Sequence, residues 1–242
     1  MVTDSKNAHA RQLFNGIARN YEGPAQVFSF GQYLRWRRFL VSRLELTPGA
    51  RVLDVCTGTG GVAVAMARAA PCRVVGLDLS DGMLQVAQGR LEREGLAAKV
   101  ALVQGRAEGL PFDDASFDAV VFTFLLRYVE RPPEVVRELA RVLKPGGQMA
   151  SLEFHAPPWP VRPLWWLHTR VSFRLGMMFL SPGWREVGAF LGPSISRYYA
   201  RHTLVDHERW WREAGVPDVQ MKTLSLGGAV VMWGRKEARR GG

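Results

Sequence analysis

The stretch "LDVCTGTGG" (53–61) decides how this chain folds. It carries the short β-branched run "ARVLDV" (50–55) through a glycine-rich turn into the small-residue stretch "GGVAVAMARAA" (60–70), which predicts strand, turn, helix. Glycines at such a turn let backbone approach a ligand closely. The following helix aims its free N–H groups at an anionic group. Alone, the turn reads equally as a ligand loop or a tight structural corner.

The same alternation continues outward. "CRVVGLD" (72–78) predicts a second strand, and "SDGMLQVAQGRLEREG" (80–95) a helix capped by Ser80 and stopped by Gly95. Met83, Ala87 and Leu91 fall on one face of that helix. "KVALVQG" (99–105) and "FDAVVFTF" (117–124) are further strands, "PPEVVRELARVLKPGG" (132–147) a helix, and "QMASLEF" (148–154) a fifth strand. "HTLVDHERWWREAG" reads as a late helix, followed by two strands paired through "LGG". Strands apolar on both faces imply a parallel sheet buried between helices, joined by right-handed crossovers. The predicted fold class is α/β and Rossmann-like: a mostly parallel seven-stranded sheet with helices on both faces. Its ligands gather at the carboxyl ends of the strands.

Two regions break the rhythm. Residues 1–46 read as a helical cap rich in arginine and aromatics, and 155–202 as a lid holding four of the eight tryptophans (Trp159, Trp165, Trp166, Trp184). The expected organisation is one domain over 1–242. A core (47–154) lies between cap and lid, followed by a terminal helix and strand pair (203–234) and a basic tail (235–242).

Net charge is +10, and only five of the 32 basic residues are lysine. This has two readings, a compositional arginine bias or attraction to an anionic surface. No stretch resembles a signal peptide or reaches the ~18 apolar residues of a membrane span. The two cysteines, Cys56 and Cys72, make neither a metal framework nor a disulfide framework. The expected location is the cytoplasm, with possible peripheral contact with anionic lipid on the inner membrane face. Tryptophan and arginine together in the lid suit a lipid–water interface or a packed apolar cover.

Asp78 ends the second strand, where a carboxylate accepts both hydroxyls of a ribose. The glycines fall at Gly58, Gly60 and Gly61, which is not a clean dinucleotide fingerprint. They fit a nucleoside without a pyrophosphate, such as S-adenosylmethionine, with Asp54 toward its ammonium side. "VLDVCTGTG", "GLDLSDGML", "AEGLPFDDASFD" and "RVLKPGG" resemble the class I S-adenosylmethionine-dependent methyltransferases. "FNGIARNYE", "SFGQYLRWRRFLV", "LLRYV", "RVLKPGGQMASLEF" and "SISRYYARHTL" narrow the resemblance to the ubiquinone/menaquinone C-methyltransferase family. The likeness implies a cofactor set of Asp54, Thr57, Gly58, Thr59, Gly60, Asp78, Leu79, Met83, Arg106, Ala107 and Thr123. Within it Thr59 lies near the methionine moiety, Asp78 on the ribose, Arg106 and Ala107 at the adenine edge, and Thr123 beneath the cofactor. No metal is implied. Arg106 departs from the family, which usually carries Asp or Asn there; an arginine cannot accept from the adenine amino group.

On the acceptor side the resemblance implies Tyr21, Arg127, Tyr128 and His155 as catalytic candidates. A ring carbon of a quinol becomes nucleophilic when the neighbouring phenol ionises, and a permanent cation stabilises that phenolate. Arg127 meets this description; its other reading is a solvated charge at a strand end. His155 stands where the family has a small hydroxyl residue, as a base or as a loop histidine. Leu125 and Tyr128 replace the family's Gly and Asn, and "YEGPAQ" lacks an Asn usual after the tyrosine. The expected reaction is C-methylation of a prenylated quinol or similar lipid-soluble phenol. The alternatives are N-methylation of a lipid amine such as phosphatidylethanolamine and a non-catalytic cofactor-binding subunit. Nucleic acid is disfavoured by the lack of an N/D-P-P-Y/F-type motif and of a separate basic domain.

Overall fold

A computed structural model describes residues 3–238; the last four residues of the expected basic tail lie outside that range. Three helices open the chain: α1 (Thr3–Ile17), α2 (Glu22–Phe28) and α3 (Gln32–Val41). The alternating core follows as β1 (Arg51–Val55), α4 (Gly61–Ala69), β2 (Arg73–Asp78), α5 (Asp81–Arg93), β3 (Val100–Gln104), β4 (Phe117–Thr123), α6 (Pro132–Val142) and β5 (Leu143–Phe154). Then come α7 (Arg162–Leu167), α8 (Phe173–Met178), α9 (Pro182–Arg201), α10 (Leu204–Glu213), β6 (Gln220–Leu224) and β7 (Ala229–Arg235).

The strands form one seven-stranded sheet in the order β3-β2-β1-β4-β5-β7-β6. Strands β1 to β5 pair in parallel, and β7 runs antiparallel between β5 and β6. The expected fold class therefore holds. Strand order reverses between β2-β1 and β4, which opens a crevice at their carboxyl ends.

Both faces are covered. On one, Val52, Val74 and Val121 pack with Trp36, Leu40, Val62, Met66 and Leu91 from α3, α4 and α5. On the other, Leu53, Leu77 and Phe122 meet Val135, Leu139 and Trp211 from α6 and α10. A third cluster binds the cap to the later helices: Leu13 and Ile17 of α1 meet Met83, Met177, Trp184 and Val187.

One boundary differs from the sequence reading. Helix α6 ends at Val142, and β5 starts at Leu143 rather than Gln148. Pro145 disfavours helical backbone at Lys144, so the chain extends early. The ladder pairs Phe117 with Leu143, slips, and resumes at Ala119 with Gln148.

Candidate active site

At the end of β1 the chain turns through Cys56 (φ 59°), Gly58 (φ 54°) and Gly60 (φ 76°), all left-handed. The turn is held from both sides. Thr57 Oγ1 donates to Asp54 Oδ2 at 2.7 Å, and Gly58 N–H donates to Asp78 Oδ2 at 2.8 Å. Ser80 N–H donates to the other Asp78 oxygen at 2.9 Å, and Ser80 Oγ caps α5 by accepting from Met83 N–H. Burial raises the Asp78 pKa, and these N–H bonds oppose it.

Asp78, Thr57, Gly58, Thr59, Leu79, Met83, Arg106, Ala107 and Thr123 all line one chamber of about 100 Å³. Asp54 and Gly60 do not line it. Asp54 is fully buried behind the loop, and desolvation lifts its pKa to about 7. It braces the loop from below instead of facing a ligand's ammonium. Gly60 is the left-handed N-cap of α4. Arg106 forms a short antiparallel bridge with Gly109 at the chamber's rim.

Beyond this chamber lies a second of about 280 Å³, lined largely by apolar side chains of the cap and lid. The two share Phe14, Tyr21, Tyr33, Phe124 and Tyr128 as walls. Arg127 lines the second chamber and is almost fully buried. Its Nη2 donates to the Tyr128 hydroxyl at 2.9 Å, and its Cζ lies over the rings of Tyr128 (4.6 Å) and Phe154 (5.6 Å). Its Nε is buried without a hydrogen-bond partner among the described residues. The tyrosine at the junction, Tyr21, stacks on Trp184 and accepts from Tyr33 Oη at 3.5 Å. Burial and the neighbouring Tyr33 hold its phenol well above the usual range.

His155 is not brought to either chamber. Its Nδ1 lies 2.8 Å from Gly227 O, and its ring meets Tyr199 edge-on. Burial lowers its pKa. His207 is a packing residue, held by Tyr198 Oη and Thr203 O.

Several residues at the site were not singled out from sequence. Glu153 stands in the apolar run "SLEF", and its Oε1 accepts from Leu125 N–H (2.8 Å) and Leu126 N–H (2.9 Å). It pins the turn Leu126–Tyr128 that presents Arg127. Burial raises its pKa to about 7, while those two bonds and the Arg127 charge oppose the rise. The signal was legible: an acid within a buried strand needs partners. Phe124 takes φ 55° to leave β4 and stacks on Phe154 at 4.3 Å. Nothing in a phenylalanine announces that conformation.

A doubly wound sheet, a buried carboxylate at the end of β2 and a glycine turn against a helix N-terminus make a nucleoside-binding fold, and with the antiparallel β7 beside β5 and the match to a methyltransferase family this is a class I S-adenosylmethionine-dependent methyltransferase. The residues at hand fit that cofactor: Asp78 lines the chamber with its carboxylate oriented by two backbone N–H groups, and the chamber shares an aromatic wall with an apolar one. Among solved structures, a methyltransferase of Thermotoga maritima superposes with a TM-score of 0.63 at 20% identity, covering 94% of this chain and 99% of its own. A Haemonchus contortus phosphoethanolamine N-methyltransferase in complex with S-adenosyl-L-methionine gives 0.63 at 16% identity, over 93% of this chain and 60% of its own. These likenesses show the fold.

The sequence is more particular. Residues 2–236 match the ubiE/COQ5 methyltransferase family, and the chain belongs to it. It is 35% identical to a demethylmenaquinone methyltransferase of Geobacillus kaustophilus over 96% of this chain and 98% of the relative. It is 34% identical to a Desulfotalea psychrophila protein named ubiquinone/menaquinone biosynthesis C-methyltransferase UbiE, over 96% and 92%. The chain is an S-adenosylmethionine-dependent methyltransferase. Among the described residues no helix is long and apolar enough to cross a membrane, and no cluster of His, Cys, Asp and Glu could hold a metal ion.

Proposed function

We propose that this enzyme C-methylates a prenylated quinol of the demethylmenaquinol type. The observation that carries the reading is the meeting of the two chambers at Tyr21, Tyr33, Phe124 and Tyr128, with buried Arg127 on the apolar side. The names of the relatives in this family support the acceptor class and favour it over a lipid amine. An amine acceptor would find a buried guanidinium, not a carboxylate, beside it.

The chamber beside Asp78 holds the cofactor, with Asp78 on the ribose, Thr57 to Thr59 around the amino-acid end and Ala107 toward the adenine. Bound there, the cofactor supplies a sulfonium methyl that leaves a neutral thioether behind. The acceptor's phenol gives its proton to solvent as it enters the chamber, and the negative charge of the phenolate stays within reach of the Arg127 guanidinium. The phenolate pushes electron density to the adjacent ring carbon, which forms the new carbon–carbon bond. As the product leaves, that carbon gives its proton to solvent, its electron pair restores the aromatic ring as a phenolate, and the oxygen takes up a proton to give the methylated quinol. The aromatic walls hold ring and methyl in register and exclude water.

The apolar chamber suits the prenyl tail. Phe30, Leu164 and Leu226 line it yet are 74%, 67% and 75% exposed, so its mouth is an apolar rim. Such a rim, with a +10 chain behind it, suits loading from the surface of an anionic membrane. The cap helices α1 to α3 and the lid over 155–202 are then the parts that enclose the acceptor. The test is methyl transfer from labelled S-adenosylmethionine to demethylmenaquinol in detergent micelles. Label in the quinol ring supports the reading; label in phosphatidylethanolamine alone, from mixed lipid, would overturn it.

A further inference from the structure

The cofactor chamber contains one buried cation that neither the loop nor the acceptor explains. Arg37 on α3 is 5% exposed and lines the chamber beside Thr59, Gly61 and Val62. The other arginines lining it are exposed: Arg11 is paired with Asp81, and Arg106 bridges to Gly109.

Arg37 is held with care. Glu22, the first residue of α2, takes Nη1 at 3.2 Å and Nη2 at 2.9 Å, and the Tyr33 ring lies 3.8 Å from Cζ. The same Glu22 carboxylate accepts from the Thr59 hydroxyl and is approached by Arg90 at 3.4 Å. Burial would raise the Glu22 pKa, but Arg37, Thr59 and Arg90 hold it below its ordinary value. Glu22 takes two of the five N–H donors of a guanidinium.

The position is unusual in one respect. A Cβ on Gly61 would fall 2.1 Å from Arg37 Nη1. The first residue of α4 is therefore a glycine that leaves room for the guanidinium against the helix N-terminus. A helix N-terminus carries partial positive charge. Two positive groups are thus packed side by side at the wall of a ligand chamber, with Glu22 behind them. An anion in front relieves both.

Resting on the reading of this chamber as the cofactor site, we infer that Arg37 receives the terminal carboxylate of the cofactor's amino-acid end, and that Glu22 is a positioning residue that aims it. The chamber then selects nucleosides carrying an amino-acid end over those that lack it. Arg37 reads that end, while Asp78 reads the ribose common to both kinds.

The experiment is calorimetry of the full chain with S-adenosylhomocysteine and with 5′-methylthioadenosine, which keeps the nucleoside and lacks the carboxylate. Arg37→Met should weaken S-adenosylhomocysteine about 10- to 100-fold, as loss of a charged hydrogen-bonded pair does, and leave 5′-methylthioadenosine within about twofold. Arg37→Lys and Glu22→Gln should show the same selectivity with smaller losses, about 3- to 10-fold, and they decide the matter if Arg37→Met does not fold. Equal losses for both ligands, or none, would overturn the assignment while leaving the chamber as the cofactor site. If the wild type binds neither nucleoside, the chamber reading itself falls and takes this one with it.

Discussion

Arg127 donates to the hydroxyl of its neighbour Tyr128 at 2.9 Å while its own Nε remains buried without a partner among the described residues. A buried cation with an unused donor is costly unless something meets it. A phenolate oxygen on the acceptor meets that need. Arg127→Ala is therefore expected to lower kcat by about 10²- to 10³-fold, the usual cost of removing one group that stabilises developing charge. Affinity for S-adenosylhomocysteine should stay within about threefold. Tyr128→Phe should cost less, about five- to tenfold in kcat, because it frees Arg127 without removing its charge. Steady-state kinetics beside calorimetry separates the two effects; an unchanged kcat in Arg127→Ala would remove the phenolate role.

Asp78 uses both carboxylate oxygens to hold the Gly58 and Ser80 N–H groups. An asparagine offers a single acceptor oxygen there. Asp78→Asn should thus lose about 1–3 kcal/mol of stability from one orphaned N–H. It should also weaken S-adenosylhomocysteine and 5′-methylthioadenosine alike, by about tenfold or more, because both carry the ribose. Thermal unfolding and calorimetry measure the two losses, and near-wild-type affinity would exclude the ribose assignment.

Glu153 has a folded pKa of about 7 against an ordinary 4.5, with burial as the main cause. Between those values the folded chain binds more protons than the unfolded chain. Its contribution to stability is therefore fullest below about pH 4.5 and is lost as pH rises towards 7, at about 1.4 kcal/mol per unit at most. Glu153→Gln keeps an oxygen for the Leu125 and Leu126 N–H groups and removes the titration. Denaturant melts from pH 4.5 to 7.5 should show wild type losing stability relative to the variant by a few kcal/mol. Parallel curves would contradict the buried acid.

Phe30 and Leu226 stand exposed at the mouth of the apolar chamber. Replacing both with serine should weaken partitioning onto vesicles containing anionic lipid by about 100-fold or more, since each removes roughly 1.5–3 kcal/mol of apolar burial at a lipid surface. Transfer to a short-chain quinol in detergent should be nearly unchanged. Vesicle binding equal to wild type would mean that this rim does not touch lipid.

The fold was legible because its signals are local and repeated. The runs that became β1, β2 and β4 are apolar on both faces, and Ser80 caps α5 by the rule that predicted it. The end of α6 was misplaced because a favourable apolar period ran on toward "KPGG", while Pro145 and the ladder to β4 claimed Leu143. The site was legible only where one motif brings its own neighbours. Asp78 and the Gly58 turn meet because β1 and β2 pair in register. Arg37 and Glu22 lay in plain view within "YEGPAQ" and "LRWRRF", but nothing local says that α2 and α3 fold back to set both against Thr59.

By itself the sequence determined the sheet, the glycine turn, the carboxylate at the end of β2 and the family, all of which rest on short-range patterns. Tertiary structure decided what those parts face. It sealed Asp54 under the loop, drew His155 away to Gly227, and made one wall from Tyr21, Tyr33, Phe124 and Tyr128. Residues this far apart in the chain become neighbours through packing of cap and lid on the sheet. Packing depends on shape and burial, which a single sequence does not display position by position.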